Sequence, residues 1–574
     1  MRRLFPLVLA VMVVLAAAAP STARPATKKQ SYVVLYKAGV SADEARAAVK
    51  AAGGRIVREN AKVRVATARS SNPRFLAVAS RNAAIEGVAR DKRIGHVPKI
   101  SRQGKSRPVD KFAFEKGDFS GEGAGTAVAP SPPAVGAEPL SSLQWDMRMI
   151  RATADGSHAV QPGDRRVKVG IIDTGIDASH PDVGANFDAD LSRNFTTDIP
   201  FDSLGNEIDG ECAADPDGSC SDPNDVDEAG HGTHVAGSVA AAANGRGIAG
   251  VAPNVTLVNL RAGQDSGFFF LQPSVDALTY AGDHGIDVVN MSYFIDPWLF
   301  NCESHPADSP AEQLEQQTII KAATRALAYA HRRGVTLIAA AGNGGTDYSK
   351  PVIDTTSPDF PLGTEKERLV PPSCLDLPTE GRNVLSVTAL GPSERKSFYS
   401  DYGVGHAFVA APGGDSMDTA TGLANPQNRI LSTYPEFVAR TGDIEGDGNP
   451  DIDPVTGNPI SNRIVCERES VGGPCTYYAY QQGTSMASPH AVGVAAVIVS
   501  EFGKRDKKMG GLELRTRKTE RILRQTAREH ACPEVNPTEF GALCEGGPRY
   551  NGFYGFGIVD ALSAATAKDD DDDD

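Results

Sequence analysis

The sequence predicts an α/β protein: a doubly wound, mostly parallel sheet flanked by helices, preceded by a small α+β domain. Three observations carry this expectation. The runs VKVGIID, VTLVNL, IDVVNMS, GVTLIAAAGN and NVLSVTAL are continuously apolar and β-branched rather than alternating, as expected of strands buried on both faces. Helical stretches, among them SVDALTYAGDHG and QTIIKAATRALAYAHRRG, separate several of them, and strand–helix–strand repetition builds a parallel sheet. Residues 31–100 have a quicker rhythm of short strands and helices.

Taken in order, residues 1–23 read as an export leader. Arg2 and Arg3 precede an apolar core from Leu4 to Ala18, followed by the small residues Ser21, Thr22 and Ala23. The core is short for a bilayer span, and no later stretch is taken for one. Residues 24–101 form the predicted small domain. SYVVLYK is a strand, and SADEARAAVKAAG is a helix capped by Ser41 or Asp43. RIVREN and VRVATA are strands, PRFLAVASRNAAIEGV a second helix, and GHVPKI closes the set. Residues 102–138 contain GDFSGEGAGTAVAPSPPAVGAE, a composition that reads as a flexible, cleavable linker. The main domain spans 139–566, and the charge block KDDDDDD places a disordered acidic tail at 567–574.

Charge divides the chain. Residues 24–138 hold 22 Lys and Arg against 10 Asp and Glu, although the whole chain carries −14. The main domain is therefore strongly acidic, which argues against nucleic acid as a partner and for electrostatic docking of the basic front part. Eight cysteines in an exported chain favour disulfides. They admit 105 pairings. Proximity favours Cys212/Cys220, Cys466/Cys475 and Cys532/Cys544, leaving Cys302 with Cys374.

Three motifs carry chemistry: Asp173 in VGIIDTGID, His231 in GHGTHVAGSVAAA and Ser485 in GTSMASPHAVGVAA. Singly, each residue has an ordinary structural use: a strand-end cap, a helix histidine, an N-cap. Together, in this order, they match a known layout of a serine hydrolase triad. A serine hydroxyl needs a base to take its proton. An imidazole titrates in the right range, and a buried carboxylate fixes its tautomer. Ser485 opens a helix, where unpaired backbone N–H groups face a reacting carbonyl. Asn343, after GVTLIAAAG, offers a second oxyanion donor, a contact worth roughly 3–4 kcal/mol in a comparable site. His234 and His490 are read as packing residues.

These blocks, with AAAGN, GIAGVAPNVTL and YGFGIVDA, closely resemble the subtilisin-like serine proteases (subtilases, S8 family), over roughly 140–505 and 549–564. Residues 31–100 resemble the family's inhibitor-I9-like propeptide, which implies a folding template and inhibitor that is cut away. The resemblance implies a peptide or protein substrate, a monomer, and no membrane association after processing. It makes Ser292, Tyr293 and Phe294 a wall of the pocket for the side chain preceding the cut, and RAGQDSGFFF an edge where substrate adds as a β-strand. Insertions near 196–228, 296–320, 345–380 and 435–478 contain every cysteine before residue 480, and are expected to ring the cleft. Structural calcium is implied at Asp182 and Asn244. DIEGDGNPDID, with Asp443, Asp447 and Asp451, has the spacing of a second calcium loop without its closing glutamate. The expected function is that of a secreted serine endopeptidase made as an inactive precursor. The alternatives are a narrowly selective processing or exo-acting peptidase and a catalytically silent binding protein.

Overall fold

In a computed structural model of the chain, the described residues are 29–91, 111–116 and 134–568, except 135, 214, 216–217, 422, 443–449, 508, 536–537 and 539. The leader, most of the expected linker and nearly all of the acidic tail lie outside them.

The apolar runs become one seven-stranded parallel sheet, ordered Val409–Pro412, Val384–Leu390, Thr336–Ala340, Val288–Met291, Lys168–Ile172, Thr256–Arg261 and Arg193–Asn194. Val169 pairs with Leu257 on one side and Val288 on the other. The strand order therefore reverses around Lys168–Ile172, and the carboxyl ends there form the crevice where ligands bind in such sheets. One face is covered by His231–Ala240 and Thr484–Phe502, with Val235, Val239, Met486 and Val494 in a shared core. The other is covered by Leu271–Asp283 and Pro310–Arg332 through Leu278, Ile319 and Ala323.

Contrary to the sequence reading, Thr484–Phe502 is long and apolar enough to cross a membrane by length and composition. It is buried from Thr484 to Ser500, because it is the central helix of this core. The cysteines pair as expected, 212–220, 466–475 and 532–544 by proximity and 302–374 as the remaining pair.

The small front unit is a four-stranded antiparallel sheet, ordered Gly54–Asn60, Val65–Ser70, Gln30–Tyr36 and Ile85–Asp91. The helix Ala42–Ala51, capped by the Ser41 hydroxyl, packs Val49 against Tyr32 and Phe75. The expected second helix stops at Ala79. Asn82 Oδ1 accepts the Ala84 amide, a local turn that competes with helix, and the remaining residues pair with Gln30–Tyr36 as a strand. GHVPKI lies outside the described residues.

The unit docks on Leu271–Asp283 and Pro310–Arg332. Arg58 pairs with Asp276 and Lys62 with Asp283. Arg325, from the main domain, reverses the polarity by pairing with Glu86 and donating to the Tyr36 carbonyl at 3.0 Å.

The linker expectation needs a correction. Residues 111–116, KFAFEK, are an ordered strap in the crevice, ending in one helical turn, Ala113–Lys116. The Lys111 N–H donates to Ser266 O at 3.0 Å, the Gln482 N–H to Glu115 O at 2.9 Å, and Arg463 to Lys116 O at 2.7 Å. Two aromatics and two lysines around a carboxylate give this short segment enough to bury.

Candidate active site

Asp173 follows the strand Lys168–Ile172, Ser292 follows Val288–Met291, and Asn343 lies just past Thr336–Ala340. All three therefore meet at the crevice. His231 opens its helix. Gly232 is required behind it, since a Cβ there would lie 2.1 Å from Gly175 O and 3.1 Å from Asp173 Cβ. Asp227, which the motifs did not reveal, fixes this helix start. Its carboxylate accepts the Gly230 and Thr233 amides and the Thr233 and Thr174 hydroxyls, holding acid loop and histidine helix together. Its sequence signal was an aspartate shortly before a helix.

His231 Nδ1 donates to Asp173 Oδ1 at 2.6 Å. Ser485 Oγ does not donate to His231 here. The strap's Glu115 carboxylate stands between them: Oε2 lies 2.8 Å from His231 Nε2, and Oε1 accepts from Ser485 Oγ at 2.6 Å and Asn343 Nδ2 at 2.7 Å. Chemically, Oε1 takes the place of a developing oxyanion or a product carboxylate oxygen. Asn343 is aimed at it because its own Oδ1 accepts from Thr484 N and Oγ1, both at 2.9 Å. Gly483 leaves room for the intruder, as a Cβ there would lie 2.8 Å from Glu115 Oε1. The Phe112 ring stacks on the imidazole, 3.8 Å between centroids, and shields it from water.

Electrostatics follow from this packing. Burial alone would lower the His231 pKa, but Asp173 and Glu115 on opposite sides raise it to about 10. Burial raises Asp173, against the pull of His231. A histidine held as imidazolium cannot take a proton from Ser485. His234 lies against the carbonyls of Ile430 and Ala479, and His490 against Met486 O and Asp146, both buried. They are packing residues, as read.

Along the wall, Ser292 Oγ donates to Ser485 O at 3.2 Å. Tyr293 stacks on Phe269 at 4.1 Å, and Phe294 faces the Lys111 ammonium at 4.1 Å.

Of the expected calcium ligands, Asp443 and Asp447 lie outside the described residues, while Asp451 is buried. Asp182 and Asn244 do meet, with Asn244 Nδ2 donating to Asp182 Oδ1 at 3.2 Å; Tyr478 and the Ile248 amide donate to Oδ2. Glu138 joins them unannounced by sequence. It is buried, its Oε2 lacks a hydrogen-bond partner among the described residues, and burial, with the Asp182 charge nearby, pushes its pKa up. Burial pushes Asp182 up to about 6. Among the described residues neither carboxylate has an ion-pair partner. Two buried, uncompensated carboxylates and an amide fit a hard cation. The cluster Asp198, Asp222 and Asp265 does not, because the buried Arg261 guanidinium already pairs with all three.

A buried carboxylate on an imidazole, a helix-opening serine and an amide donor, at the switch point of a doubly wound sheet, define a serine peptidase site. The sequence matches the Subtilase family, Peptidase_S8, over residues 164–557, and the chain belongs to that family. It is 28% identical over 343 residues to a thermophilic serine proteinase of Bacillus sp. (strain AK1), covering 60% of this chain and 54% of that protein. It is 28% identical over 340 residues to subtilisin DY of Bacillus licheniformis, covering 58% and 77%. Among solved structures, the fold is similar to an epidermin leader peptide processing serine protease from Staphylococcus aureus, with TM-score 0.58 and 20% identity over 94% of this chain and 98% of that one. Fervidolysin from Fervidobacterium pennivorans has TM-score 0.53 and 20% identity, covering 94% and 61%.

Proposed function

We propose that this protein is a secreted serine endopeptidase, made as an inactive precursor that its own front part inhibits. The observation that carries the reading is the convergence of Ser485, His231 and Asn343 on one carboxylate oxygen pair, with Asp173 behind the imidazole. In the precursor, Glu115 holds the serine proton, the imidazole and the oxyanion donor at once. Removal of the strap returns His231 Nε2 to Ser485 Oγ.

Ser485 Oγ then attacks a peptide carbonyl as His231 takes the hydroxyl proton. Asn343 Nδ2 and the Ser485 N–H hold the oxyanion. His231 gives the proton to the departing amine, leaving an acyl-enzyme, and water, deprotonated by the same imidazole, releases the acid. Asp173 keeps Nδ1 protonated throughout. The substrate is a peptide or protein, added as a β-strand at the edge formed by residues 261–270. Four disulfides and no free cysteine support an oxidising, extracellular setting.

The decisive experiment is fluorophosphonate labelling of the processed chain. An adduct on Ser485, lost in Ser485→Ala, is expected. No adduct in folded, processed protein would leave the silent binding protein in place. Leader peptide processing by the Staphylococcus aureus structural relative makes a narrowly selective peptidase the second reading. Segments 296–320 and 345–380, tied by Cys302–Cys374, favour it by bringing Asp296 and Asp359 to Lys111 of the strap. Positions cut in a mixed peptide library separate the two.

Structural calcium belongs to the same reading, with Glu138, Asp182 and Asn244 as ligands. It would neutralise their charge and fix the start of the main domain against the loop after His231–Ala240. Chelation is expected to lower Tm by several degrees, and an unchanged Tm removes calcium from the proposal.

A further inference from the structure

The strap carries a second charged contact, some way from the reacting groups. The Lys111 ammonium lies against Asp296 and 2.7 Å from Asp359 Oδ2. It also faces the rings of Phe268 and Phe294, at 4.4 and 4.1 Å from their centroids. Only 17% of the Lys111 side chain is exposed, and none of Asp296. Asp296 Oδ2 accepts the Phe269 amide, while Asp359 Oδ1 is buried without a hydrogen-bond partner. Burial would lower the lysine pKa, yet the two carboxylates hold it above its ordinary value. Asp296 is driven well up by burial and by Asp359, against Lys111.

Every wall of this box belongs to the main domain. Phe268 lies on the substrate edge, Phe294 and Asp296 follow Ser292 directly, and Asp359 comes from an insertion. Among the described residues, Lys111 alone forms an ion pair with Asp296 or Asp359. When the strap leaves, two desolvated carboxylates between aromatic rings are left without a cation, a costly state unless another arrives. The box suits a long aliphatic stem ending in a positive charge.

We propose that Phe268, Phe294, Asp296 and Asp359 form a specificity pocket that takes a lysine or arginine side chain of the substrate, and that Lys111 occupies it as a surrogate. The Lys111 N–H on Ser266 O sets the backbone on the substrate edge, on the side that binds the acyl half. Between Lys111 and Glu115 the strap spends residues on a helical turn, rising 1.5 Å per residue instead of about 3.3 Å for an extended peptide. The basic residue therefore lies within the four positions preceding the bond cut. This deepens the peptidase reading and rests on it.

The test uses enzyme processed from the full chain and peptide pairs differing only in lysine against uncharged norleucine, walked through those four positions. At one position kcat/KM is expected to favour lysine roughly tenfold or more. That ratio should fall to near one in Asp296→Asn and in Asp359→Asn, with Ser485 labelling reporting that each variant is folded. Asp359 is the more exposed, so its variant serves should the other not fold. A ratio near one at every position, with norleucine peptides still cut, overturns the pocket and leaves the peptidase standing. A lysine preference unchanged in the folded variants also overturns it. If no peptide is cut and Ser485 takes no label, both fall.

Discussion

The front part of the chain holds the main domain in two unlike ways. The small sheet docks through charges at its rim: Arg58 and Lys62 meet Asp276 and Asp283 with side chains 39% and 53% exposed. The strap buries its charges, with Glu115 and His231 side chains 5% and 0% exposed. Exposed pairs are screened and contribute roughly 0–1 kcal/mol each. A buried carboxylate engaged by three groups is directional, and any lost partner leaves an unpaired polar atom. The small sheet delivers, and the strap blocks.

The largest effect expected concerns the amide that serves both the strap and the reaction. Asn343→Ala should lower kcat of the processed enzyme by roughly 10²–10³ with little change in KM, in steady-state peptide hydrolysis. Glu115→Gln comes next. It keeps the shape but removes one of the two charges, beside that of Asp173, that hold His231 protonated, so processed chain should appear roughly tenfold or more faster at pH 7, followed by gel time course.

The pH dependence sharpens the same point. Glu115 raises His231, so the plug's hold is complete below the pKa of the unplugged imidazole and is lost as pH rises through about 10. Processing of the wild-type precursor should accelerate from pH 6 to 10, and the Glu115→Gln curve should be flatter. The smallest effects belong to the rim. Arg58→Ala or Lys62→Ala should change the processing rate by roughly fivefold or less, and added salt should mimic them. A rim variant that matched Glu115→Gln would collapse the distinction between delivery and blockade.

Most of the main domain was legible because its signals are local. Five of the seven parallel strands announce themselves as short consecutive apolar runs, while the short edge strands Arg193–Asn194 and Val409–Pro412 do not, and Asp173, His231 and Ser485 each sit in a motif whose small neighbours serve close approach. Ser292 and Asn343 could be placed because strand ends locate them. Glu115 could not. Its partners lie 116, 228 and 370 residues away, and it was one of five carboxylates in a loop-like stretch, with nothing to single it out. Asp359 and Glu138 were hidden similarly, in an insertion and at a domain edge, where no periodicity constrains a side chain. Strand Ile85–Asp91 was mistaken for helix because short apolar runs fit both periods.

The Cys302–Cys374 bond spans 72 residues of sequence and closes the loop that contains Asp359. A cross-link of that length restricts the unfolded loop by about 4 kcal/mol in the chain-entropy view. Asp173, His231 and Ser485 lie outside the closed segment, whereas the oxyanion donor Asn343 lies within it, on the same loop as Asp359. Thiol reductants should thus loosen the segment that carries both Asp359 and Asn343, making the enzyme's choice of side chain and its turnover alike dependent on the redox state of the surroundings.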